Sequence, residues 1–331
     1  MKKISFEDNI LAFPKQLSPD GVSSARLDLL RTAHPDGVVI VGIGGSALPG
    51  EILYGVREEI GFTAPVVLWR NYGLPPFSSL PMKRPLYVVV SFSGNTAEPL
   101  SGLRMLLHKN VSAGYLAIIT TGGKLLEIAE RELLPLVRFT AGVLQPRQGT
   151  GFMFYGLSEI LRAAGLLREP VPAFTHLNAK KFRVEGQRLA RAVQKRLITI
   201  YTKSDERFIG YLWKIRCNEN AKTPAFNNVF PEMDHNELAG FEGKSFPAVA
   251  LFLEDKALEK ELRRQMDVTK KLLARYGVKN LSVPLSGKTL FERTWNSLML
   301  ADWFSYFLAK LNHVDPKATA IINELKAELQ Q

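Results

Sequence analysis

The chain has 331 residues, of which 46% are hydrophobic and 10% aromatic. This composition supplies core material for two domains of ordinary size and excludes a generally disordered chain. No apolar run approaches the roughly 20 residues that a helix needs to cross a bilayer. The N-terminus turns acidic at Glu7 and Asp8 without the apolar segment of a signal peptide. We therefore expect a soluble, cytoplasmic protein with no membrane partner.

The formal net charge is +11, from 43 lysines and arginines against 32 aspartates and glutamates. The basic residues are spread along the whole chain, and none of their clusters is interleaved with aromatic residues as in nucleic-acid-binding segments. We therefore expect an anionic small molecule as the partner, and no nucleic acid. The single cysteine, Cys217, cannot form an internal disulfide, and its place in a predicted helix favours a packed thiol over a nucleophile.

The first half alternates continuously apolar runs with helical patterns, after two short helices expected over residues 5–34. Apolar runs that are hydrophobic throughout are typical of parallel strands covered on both faces. The predicted strands are 37–43, 65–69, 86–92, 115–120 and 136–140. The architecture predicted for this half is therefore a doubly wound α/β fold.

A proline-containing segment, residues 168–176, is the best linker candidate. The same rhythm of strand and helix then restarts, with strands predicted at 197–202, 247–253 and 280–285. We therefore predict two tandem doubly wound, flavodoxin-like parallel-sheet domains over residues 1–167 and 177–313. A C-terminal helix within residues 314–331 is expected to complete the active site.

Two turns that follow predicted strands have the composition of an anion site. The first is Gly42–Ser46, and the second is Ser91–Thr96, which contains Ser91, Ser93, Asn95 and Thr96. Parallel sheets bind ligands at the carboxyl ends of their strands, where glycine lets the backbone approach closely and helix N-termini point N–H groups at the ligand. A single helix cap needs one such residue, and this turn has more. The pattern therefore favours a phosphate cradle.

A dinucleotide site is an alternative, because Gly42-x-Gly44-x-x-Ala47 fits the dinucleotide-binding fingerprint. An NAD site needs a carboxylate at the end of the second strand, and the sequence there contains none. Arg70 could instead bind the additional phosphate of NADP. The second hydroxyl-rich turn has no role in that fingerprint, which favours a sugar phosphate.

Glu219, in a predicted helix, and His235, in a predicted polar loop, are the acid–base candidates of the second half. Moving a proton between two sugar carbons requires a base for the C–H proton and a group that moves protons between oxygens. Either residue could equally be structural, Glu219 as a solvated helix residue and His235 as a loop cap. The five histidines show no metal-binding spacing. We therefore expect no metal and no other cofactor.

The turns "VGIGGSALPGEI" and "SFSGNTAEPL" resemble the signature of the sugar isomerase (SIS) domain, whose pattern Ser-x-Ser-Gly-x-Thr-x-Glu is met from Ser91 to Glu98. Three further segments resemble the bifunctional phosphoglucose/phosphomannose isomerases, which have two tandem SIS folds. These segments are "QPRQGTGFMFY", "NENAKTPAFNNVFPEMDHNELAGF" and "VDPKATAIINELKAEL". The resemblance spans residues 41–329.

The resemblance implies that the substrate's phosphate is bound by residues of the two turns, namely Gly45, Ser46, Ser91, Ser93 and Thr96. It implies interconversion of fructose 6-phosphate with glucose and mannose 6-phosphates through a cis-enediol.

The resemblance also assigns the chemistry. Glu219 would be the base between C1 and C2, and Arg147 would stabilise the enediolate charge. Lys326 and His235 would assist ring opening, with His235 contributed by the partner subunit of a homodimer. Thr319 would lie near C2 and leave room for both epimers. Three alternatives stay open: a SIS protein that senses a sugar phosphate, an isomerase of an amino-sugar or heptose phosphate, and an NADP-dependent oxidoreductase.

Overall fold

The structure is a computed structural model, and it describes residues 4–140, 142, 144–172, 177–243 and 247–329. The chain divides into two compact units, which are treated separately below. The first comprises Ala12–Leu177, and the second combines Met1–Leu11 with Asn178–Gln331. The end of the predicted linker, residues 173–176, lies outside the described residues.

The elements follow one another in the α/β alternation that the sequence predicts. The helices of the described residues are α1 Phe6–Ala12, α2 Leu48–Val56, α3 Ala97–His108, α4 Gly123–Arg131, α5 Thr150–Ala163, α6 Arg183–Val193, α7 Arg207–Ala221, α8 Lys260–Arg275, α9 Leu290–Leu311 and α10 Ala320–Glu328. The strands described are β1 Val22–Ala25, β2 Gly37–Val41, β3 Val66–Trp69, β4 Pro85–Ser91, β5 Leu116–Thr120, β6 Leu136–Phe139, β7 Leu197–Lys203, β8 Ala225–Phe230, β9 Ala248–Glu254 and β10 Lys279–Pro284.

The sheet of the first unit has the strand order β1-β6-β5-β4-β2-β3 over the residues described. Every residue of β2, β4 and β5 is buried, as expected for strands covered by helices on both faces. The order places the switch in winding direction between β2 and β4, and ligands bind at such points in open α/β sheets.

The second sheet, as far as the structure describes it, has the order β10-β9-β7-β8 and is parallel throughout. Its switch in winding direction lies between β7 and β9. Both sheets therefore share the flavodoxin-like arrangement, and the predicted fold class is confirmed.

Two strands were not predicted. The first is β1, which lies within residues predicted as two helices and pairs antiparallel with β6 at the sheet edge. The second is β8, which pairs with β7 in a region where the sequence analysis assigned no strand. Two of its six residues, Asn227 and Asn228, are polar, which hid the strand from a search for apolar runs.

Helix α1 contacts elements of the second unit, although the predicted boundaries grouped it with the first half. Phe6 stacks on Tyr306 with ring centroids 5.7 Å apart, and the Glu7 carboxylate lies 3.2 Å from Nε of Arg183. The predicted limits of the SIS domains stay a prediction. Within the described ranges, no helix combines the length and the apolar character that crossing a membrane requires.

Candidate active site

The first predicted turn lies at the carboxyl end of β2, on the edge of the first sheet where β2 and β4 switch direction. Gly44 has a φ of +57°, a conformation that side chains disfavour and glycine adopts readily. Ser46 is buried, and its Oγ accepts a hydrogen bond from the backbone N–H of Phe92 at 2.9 Å. Ser46 therefore joins the first turn to the second.

The second predicted turn follows β4 and leads into α3. Ser91 is fully buried; its hydroxyl donates to Oγ1 of Thr96 at 3.2 Å and accepts from the N–H of Gly94 at 3.1 Å. Ser93 is exposed, and its Oγ accepts from the N–H of Asn95 at 3.3 Å. Thr96 occupies the N-cap position of α3 but makes no side-chain hydrogen bond to that helix. The hydroxyls of Ser91 and Thr96 are therefore not explained by helix capping.

A third turn, Thr120–Gly123, belongs to the same edge and was missed by the sequence analysis. Oγ1 of Thr121 donates to the Phe92 carbonyl at 2.7 Å, and a Cβ added to Gly94 would lie 1.8 Å from the carbonyl oxygen of Gly122. The second and third turns are therefore packed backbone against backbone. The signal that could have found this turn is "TTGG" directly after an apolar strand, which repeats the polar and glycine-rich composition of the other two turns.

The three turns lead into α2, α3 and α4, whose N-cap residues, Ala47, Thr96 and Gly122, form no side-chain cap. Helix N-termini carry partial positive charge and N–H groups without intrahelical partners. At α4 these groups are already used by the second turn, since the N–H of Lys124 donates to Oδ1 of Asn95 at 3.1 Å and that of Leu125 to the carbonyl of Gly94 at 2.9 Å. The N-termini of α2 and α3, with hydroxyl groups between them, are suited to bind a phosphate group.

Arg147 lies on a 3-10 turn, Pro146–Gln148, that packs against the first of the predicted phosphate-binding turns. Its side chain is buried, with 1% of the residue exposed. A Cβ added to Gly45 would lie 2.9 Å from the backbone nitrogen of Arg147, so a larger residue at Gly45 would displace one of the two turns. The structure therefore brings Arg147 together with Gly45 and Ser46 of the predicted phosphate site.

Glu219 lies in the last turn of α7, in the second unit. This helix is fixed to α9 by three buried side-chain hydrogen bonds. They join Arg216 to Asp302 at 2.7 Å, Trp213 to Ser297 at 2.8 Å and Asn220 to Ser305 at 2.8 Å. Glu219 itself is half-buried, so a firmly held helix presents this carboxylate at its accessible end.

The segment that precedes α10 is tied to the same end of α7. Nζ of Lys222 donates to the carbonyl oxygens of Glu219 at 2.8 Å and Asp315 at 2.5 Å. Thr319 is half-buried at the N-cap position of α10, and Lys326 is exposed on that helix. Lys222 was not singled out by the sequence analysis; its φ of +50° at the helix end is a feature that only the backbone reveals.

His235 ends a 3-10 turn, Glu232–His235, and is exposed, where the sequence analysis predicted a loop. The preceding residue anchors the turn, since Asp234 accepts hydrogen bonds from Gln265 at 2.7 Å and Thr269 at 2.9 Å. Across the described part of the chain, neither His235 nor Lys326 forms a side-chain hydrogen bond or ion pair. The structure does not bring these two side chains into contact with each other.

Two other sequence interpretations can be compared with the contacts. Arg70, the candidate for an NADP phosphate, forms an ion pair with Glu51, so a carboxylate already offsets its charge.

Cys217 is fully buried, and burial raises the pKa of its thiol to about 12. The thiol is therefore protonated at neutral pH, as predicted for a packed side chain and not for a nucleophile.

Comparisons with known proteins agree with the resemblance. The family model of the bacterial phospho-glucose isomerase C-terminal SIS domain matches residues 182–329. A bifunctional phosphoglucose/phosphomannose isomerase of Aquifex aeolicus is 31% identical over 300 residues, which cover 89% of this chain and 91% of that protein. A D-glucosamine-6-phosphate 4-epimerase of Sulfolobus acidocaldarius is 31% identical over 232 residues, 68% of this chain and 69% of that protein.

Among solved structures, a hypothetical protein from Thermus thermophilus is similar with a TM-score of 0.74. It covers 97% of this chain and 90% of its own, at 17% sequence identity. At this identity the similarity supports the fold alone.

Proposed function

The chain belongs to the bifunctional phosphoglucose/phosphomannose isomerase family, and we propose that it is an aldose–ketose isomerase of hexose 6-phosphates. The proposed reaction interconverts glucose 6-phosphate and mannose 6-phosphate with fructose 6-phosphate. The observation that carries the proposal is the 31% identity to such an enzyme over 89% of the chain. The hydroxyl-rich turns at the edge of the first sheet agree with a phosphorylated substrate.

We propose that the phosphate group is bound by Ser46, Ser91, Ser93 and Thr96, with Gly45 allowing close backbone approach. Support comes from the packing of these turns and from the N-termini of α2 and α3 beside them. The hydroxyls can donate to phosphate oxygens, and the helix dipoles favour their negative charge. Among the described residues, no carboxylate takes part in the hydrogen bonds within and between these turns, so none would repel a phosphate there.

In the proposed mechanism, Glu219 removes the proton from C2 of the open-chain aldose and returns it to C1. The electron pair of the broken C–H bond forms a cis-enediol between C1 and C2, while a proton moves between the two hydroxyl oxygens. Arg147 stabilises the negative charge that develops on these oxygens. A carboxylate can act as a general base at neutral pH without a cofactor.

Ring opening must precede this step, because the C2 proton is very weakly acidic until C1 becomes a carbonyl. We assign this role to Lys326 and His235, and we assign to Thr319 a position near C2 that leaves room for both epimers. These roles rest on the family resemblance. The cytoplasmic location also stays a prediction from the sequence.

We further propose a homodimer in which His235 acts in the site of the partner subunit. The exposed position of His235 supports this proposal, because the imidazole makes no bond within the described residues of its own chain. Helix α10 supports association as well. Ile321 and Leu325 on this helix and Leu329 at its C-cap follow one another at intervals of four residues and are 77%, 58% and 71% exposed. Such a row of apolar side chains favours a protein partner.

The experiment that tests the activity follows glucose 6-phosphate and mannose 6-phosphate separately after fructose 6-phosphate is added to the purified protein. Both products are expected. Glu219→Gln is expected to lower kcat by about 10²-fold or more, the lower end for losing a general base. The control is Glu159→Gln, which removes a surface carboxylate paired with Arg162 and should leave kcat unchanged. A loss below about fivefold in Glu219→Gln would place the base elsewhere.

Mixing two inactive variants tests the assignment of His235. In a dimer with shared sites, Glu219→Gln and His235→Ala subunits together form one site in which both residues are intact. Random reassociation should then restore about a quarter of the wild-type activity, since half the dimers are mixed and half their sites are complete. If His235 acts within its own chain, mixing restores nothing.

A second candidate is epimerisation or isomerisation of an amino-sugar phosphate. It is favoured by the 31% identity to the D-glucosamine-6-phosphate 4-epimerase, over a shorter stretch of this chain. Incubation with glucosamine 6-phosphate and analysis of the products decides between the two. Turnover of this compound without turnover of fructose 6-phosphate would replace the main proposal.

A further inference from the structure

Gln16 is a buried polar residue that no step of the proposed mechanism uses. It lies on the 3-10 turn Phe13–Leu17, and only 3% of it is exposed. A buried amide side chain is costly unless both its nitrogen and its oxygen are hydrogen-bonded. Both are bonded here, and both partners belong to the segment that carries Arg147.

The two bonds of Gln16 span the turn that follows Arg147. Nε2 of Gln16 donates to the carbonyl of Gln148 at 2.8 Å, and Oε1 accepts from the N–H of Gly151 at 3.2 Å. A Cβ added to Gly151 would lie 2.6 Å from Cβ of Gln16, so the glycine is what allows this close approach. Gln16 therefore fixes the backbone on the C-terminal side of Arg147.

The opposite side of the same turn is fixed by the phosphate turns. The backbone of Arg147 abuts Gly45, and a Cβ added to Gly149 would lie 2.5 Å from the ring of Phe92. A third bond stiffens the turn, because Oγ1 of Thr150 donates to the carbonyl of Arg147 at 2.8 Å. The turn that carries Arg147 thus lies between Gln16 on one side and the phosphate site on the other.

We infer that Gln16 is a positioning residue, which holds Arg147 in register with the phosphate site and so with the enediolate oxygens. This inference rests on the proposed function. Stabilisation of a developing charge depends on donors that are already in place, and a displacement of about 1 Å can cost on the order of 10²-fold in rate. Loss of Gln16 should therefore lower kcat more than it changes KM, because the phosphate turns keep their own bonds.

The variant Gln16→Met tests the inference, since methionine has a similar length and neither donates nor accepts a strong hydrogen bond. We expect kcat with fructose 6-phosphate to fall by about tenfold or more and KM to change by less than about threefold. The matched control is Tyr115→Phe, which removes a side-chain bond to the carbonyl of Ala33 in the same unit. It should leave kcat within about twofold of wild type, even if its stability decreases.

A double-mutant cycle separates positioning from a loss of stability. In an Arg147→Lys background, Gln16→Met should lower kcat by less than about twofold, because a residue that acts through Arg147 has nothing further to position. Equal losses in both backgrounds would overturn the inference, and so would a Gln16→Met variant with wild-type kcat. If the wild-type protein does not isomerise fructose 6-phosphate at all, the proposed function fails and this inference fails with it.

Discussion

The two sheets of this protein have the same winding, yet the residues at their switch points differ in chemistry. The first switch point is the edge after β2 and β4, with its hydroxyl and glycine turns. The second switch point is the edge after β7 and β9, where the turn residues are charged: Glu206 follows β7, and Asp255 follows β9. Fold alone therefore does not decide which switch point has residues suited to a phosphate.

At the second switch point, two carboxylates face one guanidinium in the interior. Asp255 lies 2.9 Å and Glu206 3.6 Å from Nη2 of Arg293, and Glu206 is fully buried. Neither oxygen of the Glu206 carboxylate has a hydrogen-bond partner in the described part of the chain. Burial, with Asp255 adding to its effect, raises the pKa of Glu206 to about 7, although Lys203 and Arg293 oppose the shift.

Side-chain caps do not distinguish the helices at the two edges. Helices α7 and α8, which follow β7 and β9, have N-cap residues Glu206 and Glu259, and neither side chain forms a cap. The N-cap residues of α2, α3 and α4 at the first switch point form no side-chain cap either. The difference between the edges is therefore one of charge, because the second edge places carboxylates where a phosphate would lie.

The largest effect is expected from a substitution that separates the turns of the first switch point. Gly94→Ala should lower the free energy of unfolding by about 4 kcal/mol, because it adds strain at a φ of +70° and a 1.8 Å approach to the carbonyl of Gly122. KM for fructose 6-phosphate should rise by about tenfold or more, since the hydroxyls of this turn lose their places. Urea unfolding and initial rates measure the two effects.

Gly61→Ala is the matched control for that substitution. Gly61 also has a φ of +70°, but an added Cβ would meet nothing within 4 Å. It should lose only the backbone strain, about 1–2 kcal/mol, with KM unchanged. Equal losses in the two variants would mean that the contact between the turns contributes nothing.

The residues of the second switch point should make the free energy of unfolding depend on pH, because Glu206 titrates there. Because the folded-state pKa of Glu206 is raised from 4.5 to about 7, the native state binds the proton more tightly than the unfolded chain. The stabilisation that comes from this tighter proton binding is complete below pH 4.5 and is lost as the pH rises through about 7. For a shift of this size, the free energy of unfolding falls by about 3 kcal/mol.

Glu206→Gln isolates this term, since an amide resembles the protonated acid and Arg293 keeps Asp255 as its partner. The variant should be about 3 kcal/mol more stable than wild type at pH 8 and close to it near pH 4.5. Glu185→Gln should instead be less stable than wild type at pH 8, because a hydrogen bond from Arg188 lowers the pKa of Glu185 and stabilises its charged form in the folded state. A difference between Glu206→Gln and wild type that stays constant with pH would contradict the assignment.

The sequence predicted the first switch point better than the second, for a physical reason. Strands β2, β4 and β5 are buried throughout and read as apolar runs, and the serines and glycine that follow β4 are local in sequence. Glu206, Asp255 and Arg293 are each ordinary residues of a charged stretch. Only the sheet brings them together, so their burial and the raised pKa of Glu206 could not be predicted.

The proposed phosphate site shows the same limit on a smaller scale. Ser91 and Thr96 could be singled out from one short segment, whereas the bonds from Gln16 to Gln148 and Gly151 join residues far apart in the chain. Strand β1 was missed for the same reason, because an edge strand of four residues depends on its partner β6.

The smallest effect compares two buried threonines near the carboxyl ends of parallel strands, one in each sheet. Thr120, at the end of β5, donates to the carbonyl of Gly122 at 2.9 Å and accepts from its N–H at 3.2 Å. Thr202, in β7 near its end, is equally buried, and its hydroxyl has no partner among the residues described. Thr120→Val should therefore lower the free energy of unfolding by about 1–2 kcal/mol, because it leaves the half-buried carbonyl and N–H of Gly122 without these bonds.

Thr202→Val should be neutral or stabilise the protein by up to about 1 kcal/mol, because valine has the same shape and removes a buried hydroxyl that gains nothing from its surroundings. Urea unfolding of both variants at pH 8 measures the difference. If Thr202→Val loses as much as Thr120→Val, the Thr202 hydroxyl must be bonded to water or to another ligand. The polar groups of the second switch point would then be satisfied like those of the first, and the contrast between the two sheet edges would concern the charge of their residues alone.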